Sequence, residues 1–246
     1  LAAFLRRPMP MGKRAWPLIL LVGLGATTLG FLGMFHAAEF ISPGLATVIA
    51  NAQPLVATVL AHVFLGERLK TIGVTGLAIG FLGIVAIAWP SLASGEIRGD
   101  YALGIAYIAL AAAGIAIGNV AMKRLPGEVD AIVAMGLQLL LGAVPLALLS
   151  VMSEDLTSVS LSGEFIAVLV ILSVFGTSLA FWLWFATLKQ IELNRANAFT
   201  FLVPLFGLAL GAAFFEERLD WLQALGAALV VTGIVLVQRD AKANTS

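Results

Sequence analysis

The sequence predicts an all-α integral membrane protein, with eight transmembrane helices of an inferred ten in two inverted five-helix repeats. Three observations predict it. Hydrophobic residues make up 61% of the 246 and charged residues only 11%, where a soluble domain carries roughly a quarter charged residues. The apolar residues gather into eight stretches of the length that crosses a bilayer, about 20 residues as a helix. The chain also repeats itself once, at a fixed offset of 150 residues.

The eight stretches are 16–37, 43–65, 71–89, 101–124, 130–152, 162–188, 195–215 and 220–238. Backbone groups in lipid must be satisfied within the protein, and the strict alternation of a barrel strand is absent, so the stretches are helices. Pro17 and Pro43 fall near helix starts, where a missing N–H does no harm. Gly73, Gly76, Gly80 and Gly83 crowd the third stretch. The four-residue step from Gly76 to Gly80 reads as close helix packing, with a homodimer contact as the second reading. Asn119 in the fourth and Gln138 in the fifth suit bonds between helices, and Lys123 suits a side chain that snorkels to the interface. Residues 1–90 hold the remainder of the first repeat, 91–100 a linker, 101–240 the second repeat and 241–246 a tail.

The repeat is read from residues that composition does not explain. Phe64-Leu65-Gly66-Glu67-Arg68-Leu69 returns as Phe214-Phe215-Glu216-Glu217-Arg218-Leu219. Pro54-Leu55 returns as Pro204-Leu205, Thr27-Thr28 as Thr177-Ser178, and Gly76 and Gly83 as Gly226 and Gly233. From Trp16 to Ile87, 18 of 72 positions match without a gap. The second copy starts near Tyr101, so the first is expected to start about 50 residues before Leu1, room for two more spans. A chain without those spans is expected to insert but to sustain little transport.

Positive charge sets orientation. One set of alternate loops plus both termini holds Arg6, Arg7, Lys13, Arg14, Arg68, Lys70, Lys123, Arg124, Lys189, Arg195, Arg239 and Lys242, which is 12 of the 14 Lys and Arg. Only Arg98 and Arg218 lie on the other side. Both termini are therefore expected in the cytoplasm, in a plasma (inner) membrane. Arg68 inside and Arg218 outside is what two inverted copies require. Zero net charge argues against a nucleic-acid partner. With no cysteine there is no disulfide and no thiolate metal site, and no cofactor or metal is expected. The opening Leu1 with Arg6-Arg7 is not expected to be a signal peptide and reads as the tail of a longer segment.

Inverted repeats are the signature of secondary transporters, whose site forms between the two halves. The five-plus-five layout, Asn51-Ala52-Gln53-Pro54-Leu55, Gly66-Glu67-Arg68-Leu69, Phe201-Leu202-Val203-Pro204-Leu205 and Glu216-Glu217-Arg218-Leu219 resemble the EamA-type transporters of the drug/metabolite transporter superfamily. The resemblance covers nearly the whole chain. It implies export of amino acids, other metabolites or drugs, and in some members movement of nucleotide sugars. It says little about which substrate.

Polar groups in the membrane are costly, so each one invites a role. On an unbroken helix, Thr47, Asn51, Thr58 and His62 fall within about 60° of one another, and Gln53 lies about 200° from Asn51. Pro54 beside that stripe denies the carbonyl of Ala50 its usual donor, so a hydrated cavity there would have Thr47, Asn51 and His62 on its wall. The alternative is a helix–helix seam. On the equivalent helix Asn197, Phe201 and Pro204 share a face, largely apolar. One polar wall and one apolar wall suit an amphipathic solute. Pro54 and Pro204 are the candidate hinges. Thr177 and its neighbour Ser178 either bend the helix by bonding the preceding turn or touch substrate. Trp182 is expected on the cavity and Trp184 elsewhere. His36 and Glu39, three residues apart, are the candidates for proton coupling. The enzyme reading, a lipid-active membrane protein, needs a nucleophile or metal cluster that these residues do not form. A non-transporting subunit or channel is the remaining rival.

Overall fold

A computed structural model describes residues 7, 9, 12–93, 100–127, 129–154, 161–214 and 220–242. Among these, eight helices are long and apolar enough to cross a membrane: α1 (Ala15–Phe40), α2 (Leu45–Leu65), α3 (Thr71–Pro90), α4 (Tyr101–Lys123), α5 (Ala131–Ser153), α6 (Gly163–Gln190), α7 (Leu193–Phe214) and α8 (Trp221–Asp240). Each matches an expected span to within a few residues. The second Glu-Arg-Leu triplet and the last four residues lie outside the described residues, as do Arg98 and most of the linker and of the 153–161 loop.

Short polar residues start the helices. Asp130 Oδ1 accepts from the backbone N–H of Ile132 and Val133 at 2.9 and 3.2 Å to open α5. Ser162 Oγ accepts from Phe165 N–H at 3.1 Å to open α6. Each satisfies N–H groups that no helical carbonyl can reach. α2 ends on Gly66, whose φ of 70° is left-handed, and the N–H of Glu67 turns back to the Ala61 carbonyl at 3.2 Å. A residue with a Cβ would be strained in that conformation.

The inversion is written into one helix pair. α3 and α8 lie against each other along their whole length, with Gly76 on Gly233 and Gly83 on Gly226. A Cβ on Gly83 would sit 2.6 Å from the Gly226 carbonyl oxygen, and one on Gly226 2.6 Å from that of Gly83. For Gly76 and Gly233 the distances are 2.8 and 2.5 Å. Adding 150 turns 76 into 226 and 83 into 233, so each contact is the symmetry mate of the other. A two-fold axis demands that reciprocity. The glycine-crowded stretch is thus used inside the chain, and Gly80 of the same helix faces the ring of Phe201.

Two irregularities also recur at the 150-residue offset. The centres of α1 and α6 are π-helical, over Gly23–Leu29 and Leu172–Leu179. In each a hydroxyl donates to a carbonyl five residues back: Thr28 to Gly23 at 3.4 Å, Ser178 to Ser173 at 2.8 Å. Then α2 and α7 each break in mid-course. Helix Pro43–Ala50 gives way to Gln53–Leu65, and Leu193–Thr200 to Leu202–Phe214. Pro54 and Pro204, which cannot donate to the carbonyl four residues back, stand just past each break.

Candidate functional site

The π segments and the breaks meet around a cavity of about 360 Å³ between the two repeats. Its wall combines Phe31 and Met34 of α1, Gln53 of α2, Ile115 and Asn119 of α4, Phe181 and Trp184 of α6, and Thr200 of α7. All are uncharged. The aromatic rings give an apolar body to the space, and the amides and indole give it direction. Trp184 Nε1 donates to Asn119 Oδ1 at 2.9 Å, and Asn119 Nδ2 donates to Asn197 Oδ1 at 3.5 Å. Thr200 Oγ1 donates back to the Asn197 carbonyl at 2.7 Å. Gln53 is 6% exposed, yet its Nε2 has no hydrogen-bond partner. A buried amide donor left open costs free energy unless something supplies an acceptor.

The break in α2 explains why Gln53 stands here. Asn51 has ψ near 0° and ends the first half-helix. Its Nδ2 turns back to the Thr47 carbonyl at 2.8 Å, and a new helix starts at Gln53. The cavity wall therefore takes Gln53, which an unbroken helix would have turned away. Thr47 and Asn51 lie half-buried on the preceding half-helix. Pro54 and Pro204 are buried at the breaks.

The remaining candidates are spread over the fold. Trp184 lines the cavity, whereas Trp182 is 37% exposed. Thr177 sits in the π segment next to Gly176, the neighbour that lines the cavity. Asn197 is fully buried behind Asn119. Phe201 is also fully buried, packed with Leu77, Ile84 and Val230 where α7 meets the α3–α8 pair. His62 is exposed at the end of α2, its Nδ1 3.3 Å from the Glu67 carbonyl. His36 turns Nδ1 to the Leu32 carbonyl at 3.0 Å and its ring to Tyr107, while Glu39 is exposed. Asn119 and Gln138 both make bonds between helices, Gln138 Oε1 accepting from Thr27 Oγ1 at 2.8 Å.

On the side of the basic loops, each of the five helices around the cavity contributes a buried apolar residue one or two turns below it. These are Val22, Ala61, Met122, Phe185 with Leu188, and Leu193 with Ala196, all within one apolar cluster. Under this plug the loops are cross-tied. Glu67 accepts from the backbone N–H of Leu193 at 2.8 Å and of Asn194 at 3.1 Å. Lys123 Nζ donates to the carbonyls of Leu188 and Ile191, so it closes the C-terminal end of α6 in place of simply snorkelling. Asp240 accepts from the Lys70 N–H at 2.9 Å. Burial, then the Glu67 charge, pushes the Glu192 carboxyl above its ordinary value, against the pull of Arg195 and Lys123. Sequence reasoning set Gln53 off the polar stripe and Trp184 away from the cavity, and singled out Glu67 only as part of the repeated triplet.

The EamA-like transporter family matches over residues 1–89 and 102–239. The chain belongs to that family. It is 31% identical over 243 residues to a chloroplastic WAT1-related protein of Arabidopsis thaliana, covering 96% of this chain and 58% of that protein's length. To a probable amino-acid metabolite efflux pump of Escherichia coli it is 29% identical over 231 residues, 89% of this chain and 76% of the pump. A solved crystal structure superposes with a TM-score of 0.82 at 23% identity, over all of this chain and 84% of the other. That likeness is one of fold. The chain is an integral membrane protein of a family of transporters and efflux pumps.

Proposed function

We propose that this protein is a secondary transporter that exports a small amphipathic or amino-acid-like metabolite by alternating access between its inverted repeats. The observation that carries the reading is the cavity between the repeats, with its open amide donor on Gln53. A volume of about 360 Å³ is of the size that holds small solutes. The rings of Phe31, Phe181 and Trp184 would take the apolar body of the solute, and Gln53 Nε2 would take its carbonyl or carboxylate. The related pump from Escherichia coli, named for amino-acid metabolites, supports the same class. Family membership favours transport over a lipid-active enzyme. A cavity plugged on one side favours alternating access over a channel. The 12 of 14 Lys and Arg gathered on one side support cytoplasmic termini, and with them a plasma (inner) membrane as our reading.

Counterflow into liposomes tests this reading, using radiolabelled neutral amino acids together with their N-acyl and ester derivatives. Uptake that depends on solute preloaded inside is expected. Gln53→Leu should cut it about tenfold, the loss of one hydrogen bond to a buried donor. If the folded, reconstituted protein moves none of the panel, the reading is wrong.

A further inference from the structure

Glu67-Arg68-Leu69, the first copy of the repeated triplet, lines no part of the cavity, yet its glutamate ties the two repeats together. We infer that Glu67 is the latch of the gate on the basic face: its carboxylate holds the first turn of α7 over the cavity and must let go when that face opens. The inference rests on the alternating-access reading above. Four features of the geometry carry it.

Glu67 and its two partners lie on opposite repeats, 126 and 127 residues apart in the chain. Both partners are backbone N–H groups at the start of α7, where the helix leaves donors open and presents partial positive charge. The partners are also part of the plug, since Leu193 is fully buried and Ala196 follows one turn on. Any opening toward the basic loops has to move that turn away from α2. Lastly, the loop that carries Glu67 is anchored to something that stays put. Its far end, Lys70, donates to Asp240 of α8, and the α3–α8 pair is locked by glycine contacts on the two-fold axis. Gly66 at the near end, with its left-handed φ, is what aims the carboxylate across the gap.

The latch is balanced, not permanent. Glu192 precedes Leu193 directly, and its charge repels that of Glu67. Arg195 and Lys123 attract the Glu192 carboxylate, while Asp240 adds to the repulsion. Arg195 is itself steadied by Gln238, whose Oε1 accepts from its Nε at 2.7 Å. Closing therefore gathers three carboxylates and two cations at one junction, with the two clasp bonds deciding the position.

The chain has no cysteine, so Thr200→Cys places a sole thiol on the cavity wall. Its labelling by a charged, membrane-impermeant methanethiosulfonate is followed in inside-out and right-side-out vesicles. Glu67→Gln should raise labelling from the basic face about fivefold, the population shift that goes with losing one helix cap, and should lower it from the other face. Glu67→Asp, which keeps the charge but shortens the reach, should fall between. Ser42→Ala removes the side-chain cap of α2, which does not join the repeats, and should leave both rates unchanged. If Glu67→Gln shifts labelling no more than Ser42→Ala does, Glu67 is a static cap and the inference fails. Should Glu67→Gln not yield monodisperse protein, hydrogen exchange of the parent protein decides. The amides of Leu193 and Asn194 should exchange much faster than those in the middle of α3 and α8, and equal protection would overturn the latch. Neither measurement needs the substrate, so a failed counterflow panel and a failed latch are separate results.

Discussion

α1 and α6 occupy equivalent places in the two repeats and bend in the same way, but they are packed in opposite ways. Both are π-helical over matching residues, and both carry the hydroxyl-to-carbonyl bond five residues back. In α1 the segment is clasped. Gly25 rides on the Gly114 carbonyl of α4, Gly23 on the Gln138 carbonyl of α5, and Gly33 on that of Tyr107. The equivalents in α6 are Phe175, Ser173 and Leu183, and the segment stands open with Phe175 at 62% exposure. So the irregular backbone does not come from the clasp, because it survives where the clasp is absent. Local chemistry sets the bend, and glycine at the right positions decides whether neighbouring backbones can close on it.

The largest effect should come from putting α6's residue into α1. A Cβ at position 25 would already lie 2.6 Å from a backbone oxygen that cannot move aside. Gly25→Phe should therefore cost at least about 3 kcal/mol or prevent folding. Phe175→Ala on the open helix should cost within about 0.5 kcal/mol. Thermal unfolding in detergent compares the two. Similar losses would mean that α6 is held as tightly as α1.

A smaller effect separates the two hydroxyls. Thr28 Oγ1 has one proton, shared between the Gly23 carbonyl at 3.4 Å and the much nearer Gly142 carbonyl on α5 at 2.7 Å, while buried at 6% exposure. Thr28→Val keeps the shape and loses that bond, which should cost about 1 kcal/mol. Ser178→Ala loses only a bond within its own exposed helix and should cost within about 0.5 kcal/mol. Equal costs, read from the same melts, would show that the bend needs its hydroxyl more than the bundle needs the α1–α5 tie.

Those two helices also mark how far the sequence could be read. Span positions and inversion were legible, because apolar length and alternate basic loops act locally; the proline pair at 54 and 204 marked hinges, and the helix breaks beside them were not foreseen. Which residue faces the cavity was not foreseen either. Counting 100° per residue from Thr47 through Pro54 assumes one helix, and the turn at Asn51–Ala52 restarts the count, which brings Gln53 inward. In α6 the choice of Trp182 rested on position along the span alone, and it is Trp184 that lines the cavity. Glu67 could be singled out as a repeated residue, but nothing along the chain tells that its partners lie 126 and 127 residues on.

The smallest effect is expected where α6 hands over to α7. Glu192 sits half-buried in that short turn, and its carboxyl is pushed up from an ordinary 4.5, first by burial and then by Glu67. A carboxyl raised on folding makes the folded state hold its proton more tightly than the unfolded chain does. The charged form therefore weakens the fold above the raised value, and stability returns as pH falls through that value toward 4.5. Glu192→Gln removes the penalty. The variant should melt slightly higher than the parent at pH 7, by no more than a few tenths of a kcal/mol once solvent screening is allowed for. The two should converge as the pH approaches 4.5. No counterpart is expected at Ser42, the equivalent position at the foot of α1, because it holds a neutral hydroxyl capping α2. A parent protein that melts higher than Glu192→Gln at pH 7 would mean that Arg195 and Lys123 outweigh both burial and Glu67. The junction would then be a net attraction between the repeats, and the contrast between a clasped α1 and a loosely held α6 would end at the basic face.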